Sequence, residues 1–302
     1  MQKIFRTCLE KPFCQQTSPC RIHIVINRKA EGVTLRIGVI GTGNMGGMLT
    51  TAFARGPGNQ LYIHNRTRSK AEELADRTPN IRVLDSAQEV AQYAETIFIC
   101  TKSHDGNSIV QAIGPALSSR QNVATTISTV KLAKWESYTP AFVAKVIPSI
   151  VQTALSGVIL VNYSPKSSKA RRDSFEQLLR SIAFPFVVDE HQVRTASDLT
   201  SCGPAFVSYM LTEWASVVDK IGNLDYAQAE LLLTQTFLGM ANLLKSGMTF
   251  SDILAKVTIP GGVTEASLVS MHEQLPQLFY ELHQATSKHV HAPVLNLTSG
   301  QG

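Results

Sequence analysis

From Leu35 onward the chain alternates two apolar patterns. Short runs rich in branched and aromatic residues, RIGVI, QLYIHN, ETIFICT and NVATTIS, read as strands, while the segments between them, one beginning near Met45, then SKAEELADR, then residues 106–117, carry helical spacing. Strand, helix, strand at this interval predicts an α/β fold with a doubly wound parallel sheet. AKVIPSI, GVILVNY and PFVVDE extend it by three strands, with the charged helix KARRDSFEQLLRSI between the last two. Past Glu190 the strand pattern stops. PAFVSYMLTEWASVVDKIG, YAQAELLLTQTFLGMANLLKSG and LPQLFYELHQATSKHV keep a long helical period, so residues 190–302 are expected to form an all-helical second domain after a first domain of residues 35–189, with a loose tail at APVLNLTSGQG.

Composition sharpens this picture in two places. At 302 residues, 44% hydrophobic and 17% charged, the chain suits one large or two medium domains. The net charge of +5 is concentrated at the start: residues 1–34 hold six Lys or Arg against two acids, which leaves 22 basic and 21 acidic residues elsewhere. A body so nearly neutral offers no polyanion-binding face, and no nucleic-acid partner is expected. Cys8, Cys14 and Cys20 share that first segment, and only Cys100 and Cys202 fall in the body. No paired-cysteine or Cys/His spacing suggests a disulfide framework or a metal site, which points to a reducing cytoplasm. No apolar run has membrane-spanning length and no continuous apolar core marks a signal peptide, so no membrane partner is expected.

The candidate chemistry begins at the first strand. Gly41, Gly43 and Gly46 form GxGxxG directly after RIGVI and before a helix. There Gly41 permits a tight turn, Gly43 lets a pyrophosphate approach the backbone, and Gly46 lets helix and strand pack closely, so this is a Rossmann-type dinucleotide site with Thr42, Asn44 and Met45 contributing backbone. About twenty residues on, the second strand ends in HNRTRSK. A carboxylate at this point would hold the ribose 2′-hydroxyl of NAD; Asn65, Arg66, Thr67, Arg68 and Lys70 suit a 2′-phosphate instead, and NADP(H) is the expected cofactor. Thr101 and Lys102, at the end of ICTK, are expected to contact the cofactor, and His104 is read as a loop histidine. In the helical region TSCGPAF and TIPGGVTEASL each place Gly and Pro ahead of a helix. Both read as helix caps, with Thr264 as a cap residue, or as exposed amides able to hold a small anion.

These features together resemble the pyrroline-5-carboxylate reductase family over nearly all of residues 35–291. The resemblance is carried by GTGNMG, by NR at the second strand's end, by TK where the family has VKP, and above all by GPAF followed by PGGVT; SDLTSCGPAF points to a reductase-like paralogous branch of Gram-positive bacteria. It implies reduction of 1-pyrroline-5-carboxylate to proline by NADPH, with a small cyclic imine as partner molecule. It implies that amides around Gly262, Val263 and Thr264 bind the substrate carboxylate and that the Thr264 hydroxyl meets the ring nitrogen. Thr264, Cys202 and Lys102 are then the candidate catalytic residues, and Ser149 joins Gly262, Val263 and Thr264 as a candidate for substrate binding. The helical domain becomes a dimerisation domain, the protein a homodimer or larger assembly, and one subunit's PGGVT lies near the other's nucleotide domain. Ile147-Pro148-Ser149 stands where the family has MPN, and Thr200 to Phe206, TSCGPAF, where it has SGSGPAY; two of these departures bear on hydrogen bonding, Ser149 for Asn and Cys202 for Ser. Either change shortens or weakens a hydrogen-bonding group. A catalytically weak, nucleotide-sensing regulator, or a reductase of another imine or of a carbonyl, therefore stands beside the first reading.

Residues 1–34 are expected to lie outside the functional fold. Their charge and cysteine content differ from the rest, and Leu35, encodable by a bacterial start codon, opens the first strand. The rival reading is a genuine arm with an edge strand in IHIVI.

Overall fold

The structure is a computed structural model and describes residues 34–56 and 58–291; the expectations for the first 33 residues and for the tail after 291 lie outside it. Within these residues, β1 (Arg36–Ile40), β2 (Gln60–His64), β3 (Ile81–Val83), β4 (Thr96–Ile99), β5 (Asn122–Thr125), β6 (Phe142–Ile147), β7 (Val158–Tyr163) and β8 (Phe184–Val187) form one sheet in the order β3-β2-β1-β4-β5-β6-β7-β8. The chain leaves β1 toward one edge and returns to pair β4 on its other side, which opens a crevice at the carboxyl ends of β1 and β4. The glycine-spaced turn begins there.

The sheet is parallel except between β6 and β7, which run antiparallel. This departs from the all-parallel expectation, and the connection explains it. Only residues 148–157 join the two strands, whereas a parallel crossover needs a dozen or more residues. The turn closes with Leu155 at φ 50° and Gly157 at φ 77°. β3 and the helix after it are also additions to the sequence reading, since IRV is too short and too polar to show a strand period.

Helices α1 (Asn44–Ala54), α2 (Arg68–Arg77), α3 (Ala87–Tyr93), α4 (Ser103–Ile113), α5 (Leu132–Glu136) and α6 (Lys169–Leu179) cover the sheet. Burial on both faces explains why the inner strands read as near-continuous apolar runs: every residue of β4 and of β6 is buried. On one face Phe175 of α6 packs its ring 5.6 Å from Phe142, 6.3 Å from Phe98 and 6.4 Å from Tyr163. On the other, Trp135 is fully buried and donates its indole N–H to Asn107 Oδ1 at 2.8 Å. Lys145 of β6 is also fully buried, and its ammonium donates to the Ser128 carbonyl at 2.8 Å and to Glu190 Oε1 at 2.6 Å, fastening the sheet to the start of the helical region.

That region comprises α7 (Val193–Ser197), a π turn at Asp198–Cys202, α8 (Gly203–Ile221), α9 (Tyr226–Lys245), α10 (Phe250–Val257) and α11 (Val263–His291). Val263 and Thr264 of PGGVT open α11, and the closing pattern LPQLFYELHQATSKHV belongs to the same helix, which continues across Pro276. Between Gly203 and Lys288 only Ala215 and Ala229 are buried, while Trp214 is 59% exposed and Phe250 72% exposed. The nucleotide-type domain has its own core, and the helical arm does not.

Replacing Phe175 by Ala is expected to cost about 3–5 kcal/mol, because it removes a ring packed against three others in a fully enclosed site. Guanidinium unfolding measures this; a loss below about 1 kcal/mol would mean that the cluster is not the centre of this core.

Candidate functional site

The glycine turn is shaped by contacts that only glycines allow. Gly41 has φ 93°, and its amide donates to the His64 carbonyl at 2.8 Å. A Cβ on Gly46 would sit 1.8 Å from the Gly41 carbonyl oxygen, so α1 can start where it does only without a side chain there. Gly43 is different: a Cβ built on it meets nothing within 4 Å. The space beside it is open to a ligand. Gly43, Asn44 and Met45 are exposed at the start of α1, which has no acidic residue in its first turn, so the free amides there present partial positive charge to the crevice.

Asn65 connects this turn to the end of β2. Its Oδ1 accepts from the Thr42 amide at 3.0 Å and its Nδ2 donates to the Thr67 carbonyl at 2.8 Å. A cavity of about 710 Å³ spans the crevice, and Gly41, Gly43, Asn65, Arg66, Thr67, Lys70, Thr101 and Lys102 all line it. Thr42 and Gly46 are buried behind the turn, and the Thr42 hydroxyl has no hydrogen-bond partner among the described residues. Arg66 extends into solvent at 89% exposure, and Lys70 has no ion-pair partner among the described residues. Arg68 is spent elsewhere, at 2.7 Å from Glu72 Oε1 and paired also with Asp85. Of the basic residues following β2, Lys70 is thus without an ion-pair partner among the described residues, and Arg66 has only a long one, its Nη1 3.7 Å from Asp105 Oδ2.

Lys102 is the N-cap of α4. His104 lies in the first turn of that helix rather than in a loop, with Nδ1 3.5 Å from Asp105 Oδ1. Asp105, Ser108 and Ile109 of α4 also line the cavity, and sequence reasoning missed all three. Their signal was weak, since helical residues beyond a strand's end carry no motif of their own. Burial pushes the Cys100 thiol up to about 12, so this cavity residue stays a neutral thiol.

The substrate candidates divide. Ser201 Oγ donates to the Pro148 carbonyl at 2.7 Å, which brings the Ser149 segment against the Cys202 segment. Ser149 is 1% exposed and sits at the N-cap of the short 3₁₀ turn Ile150–Ala154, where its amide pairs with the Gln152 side chain. GPAF opens α8 with Pro204 in its first turn, as the sequence predicts, but the helical run is already continuous through the π turn of Asp198–Cys202 just before it. No helix-start amides are therefore free at Gly203. Asp198 in the π turn is 2% exposed and carries three partners, Arg194, His283 Nδ1 at 2.9 Å and the Thr286 hydroxyl at 2.7 Å. Burial works to raise its pKa, but the hydrogen bonds from Thr286 and His283 and the Arg194 charge prevail and hold it below the usual aspartate range. This clasp ties the last turns of α11 to the π turn across 85 residues of chain, and Arg194 Nη2 lies 3.5 Å from Cys202 Sγ.

Gly262, Val263 and Thr264 lie elsewhere. None of them lines the 710 Å³ cavity, nor does any other residue of the helical arm, and Val263 is 86% exposed. Thr264 is the second residue of α11 rather than its cap. The Gly262 amide donates to the Ile259 carbonyl at 2.9 Å and the Gly261 amide to Glu265 Oε2 at 2.7 Å, so of this segment the amides of Val263 and Thr264 remain for an anion.

Residues 190–292 match a family model described as pyrroline-5-carboxylate reductase dimerisation, and residues 36–130 one described as NADP oxidoreductase coenzyme F420-dependent. ComE operon protein 4 of Bacillus subtilis is 32% identical over 257 residues, covering 83% of this chain and 94% of that protein. The chain belongs to the pyrroline-5-carboxylate reductase family. Another family member, pyrroline-5-carboxylate reductase 3 of B. subtilis, is 25% identical over 83% of this chain and 94% of its own. The fold is that of the pyrroline-5-carboxylate reductase of Coxiella burnetii, with a TM-score of 0.75 at 21% identity over 85% of this chain and 97% of that one. A Plasmodium falciparum pyrroline carboxylate reductase with NADP bound gives 0.72 at 18% identity, over 84% and 96%.

Two substitutions separate the glycine roles. Gly43→Ala is expected to leave thermal stability within about 1 kcal/mol of the parent but to weaken dinucleotide binding at least about tenfold, by placing a methyl where the pyrophosphate must approach. Gly46→Ala is expected to destabilise the fold itself, because its methyl meets backbone. Thermal melts with and without NADPH distinguish the two; equal behaviour of the variants would contradict this division.

Proposed function

We propose that this family member is an NADPH-dependent reductase that converts 1-pyrroline-5-carboxylate to proline at low turnover. The observation that carries the reading is the single cavity in which the unobstructed Gly43 turn and the cations after β2 converge. NADPH supplies a hydride for the imine carbon. The protein's part is positioning, because a protonated imine is already electrophilic and becomes an amine on gaining that hydride without a further acid or base.

On this reading Asn65, Arg66, Thr67 and Lys70 hold the adenosine phosphate, with the first-turn amides of α1 on the pyrophosphate. Thr101 and Lys102 sit beside the nicotinamide half. The free amides of Val263 and Thr264, with Gly262, take the substrate carboxylate, and the Thr264 hydroxyl meets the ring nitrogen. That segment lies outside its own chain's cavity, and the helical arm exposes the apolar surface a partner would cover, so the site is completed by a second copy of the chain. The match to a dimerisation family over residues 190–292 supports this arrangement.

Low turnover follows from three local features. Ser149 and Cys202 offer weaker polar groups than Asn and Ser would, and the Glu265 carboxylate already occupies the Gly261 amide beside the proposed carboxylate site. The same features favour a second reading, a nucleotide-sensing protein that binds NADPH without turnover.

NADPH oxidation with pyrroline-5-carboxylate, beside a panel of other cyclic imines, separates the readings. Slow oxidation with pyrroline-5-carboxylate is expected, falling at least about tenfold in Thr264→Ala, whereas Cys202→Ser retains it. Tight NADPH binding without turnover on any imine would favour the sensor, and an unchanged rate in Thr264→Ala would refute the substrate pose.

A further inference from the structure

The cofactor cavity contains a carboxylate that the end of β2 does not supply. Asp105, in the first turn of α4, lines it with Arg66, and its Oδ2 lies 3.7 Å from Arg66 Nη1. Ala87 and Ile109 form an apolar wall of the same cavity, which suits the flat face of a purine. The acidic residue of a dinucleotide site ordinarily stands at the end of the second strand, where it accepts a hydrogen bond from the ribose 2′-hydroxyl; an arginine near that point accommodates a 2′-phosphate. Here both groups are present, delivered by different elements of the fold.

We propose that Asp105 reads the adenosine ribose from α4, so that the cavity admits both NADH and NADPH and Arg66 and Asp105 pull the preference in opposite directions. The inference rests on the reading of this cavity as a nicotinamide dinucleotide site. With NADH, the carboxylate accepts the 2′-hydroxyl proton. With NADPH, it faces a phosphate that carries close to two negative charges, and it competes with that phosphate for the Arg66 guanidinium. The pair leaves the competition open, because 3.7 Å is longer than a hydrogen bond and Arg66 is 89% exposed, so a guanidinium in water gives up little in turning to another anion. The other ionisable groups at this mouth are Lys70 and Lys102, neither with an ion-pair partner among the described residues, His64, whose Nδ1 lies 3.1 Å from the Leu84 carbonyl oxygen, and His104 beside it, whose Nδ1 is 3.5 Å from the second Asp105 oxygen and whose ring is 94% exposed. None of them neutralises Asp105 through a short contact.

The test is a titration of the full chain with NADPH and, separately, NADH, comparing the parent with Asp105→Asn and Arg66→Ala. Asp105→Asn is expected to weaken NADH about three- to tenfold and to tighten NADPH about threefold. Arg66→Ala is expected to weaken NADPH at least about tenfold and leave NADH within about twofold. A merely structural Asp105, one that only steadies the start of α4, would shift both dinucleotides by the same factor. Such a parallel shift, or no shift at all, would overturn the proposal while leaving the dinucleotide reading intact. A parent protein that bound neither NADPH nor NADH would overturn both.

Discussion

The site depends on how closely α1 is allowed to approach the turn that precedes it. With Gly46 stripped to hydrogen, the helix begins against the Gly41 carbonyl, and a methyl at that position would overlap an oxygen at 1.8 Å. The close start fixes the direction of the first-turn amides, and the Thr42 amide is then in place for Asn65 to bridge it to the end of β2. The cations after β2 and the residues after β4 reach the same cavity because those strands flank β1 on either side. A backbone contact of atomic size thus sets the geometry of a cavity many residues wide.

The helical arm answers to the opposite condition, a lack of internal packing. Its long helices bury only Ala215 and Ala229 between Gly203 and Lys288, and its apolar side chains face outward. Asp198, by contrast, is satisfied completely by Arg194, His283 and Thr286, so the arm's attachment to the π turn is secured by a charged clasp rather than by a core. Breaking one partner of such a buried carboxylate leaves charge uncompensated, which makes the clasp far more sensitive to substitution than an exposed ion pair. Under our proposal this division is functional: the arm is held firmly where it meets the cavity's own domain and left unfinished where a second copy completes it.

Much of this was legible in the sequence, and what was missed has physical causes. The doubly wound sheet, the glycine turn and the cations after β2 are local patterns, and the structure places them together. Sequence periodicity cannot show strand direction, so the antiparallel β6–β7 pair emerges only from the short connection between them. GPAF is the helix start that Pro204 suggested, but the π turn of Asp198–Cys202 that runs into it has no composition of its own and was not foreseen. The Asp198 clasp joins residues 85 apart in the chain, and Asp105 reaches the cavity from a helix rather than from a strand end. The end of β2 carries no carboxylate, as the sequence shows; only under our proposal does Asp105 bring one to the ribose from α4.

The central claim is that the reductase site forms from two copies, one giving the glycine turn and the other Thr264. Mixing Gly43→Ala and Thr264→Ala subunits, each expected to be at least about tenfold impaired alone at low NADPH, measures it directly. Random reassortment into dimers leaves about one site in four with both residues intact, so the mixture should recover about a quarter of the parent's rate of NADPH oxidation with pyrroline-5-carboxylate. A mixture no more active than its separate components, when the parent itself turns over, would contradict the shared site, and a parent with no turnover would contradict the reductase.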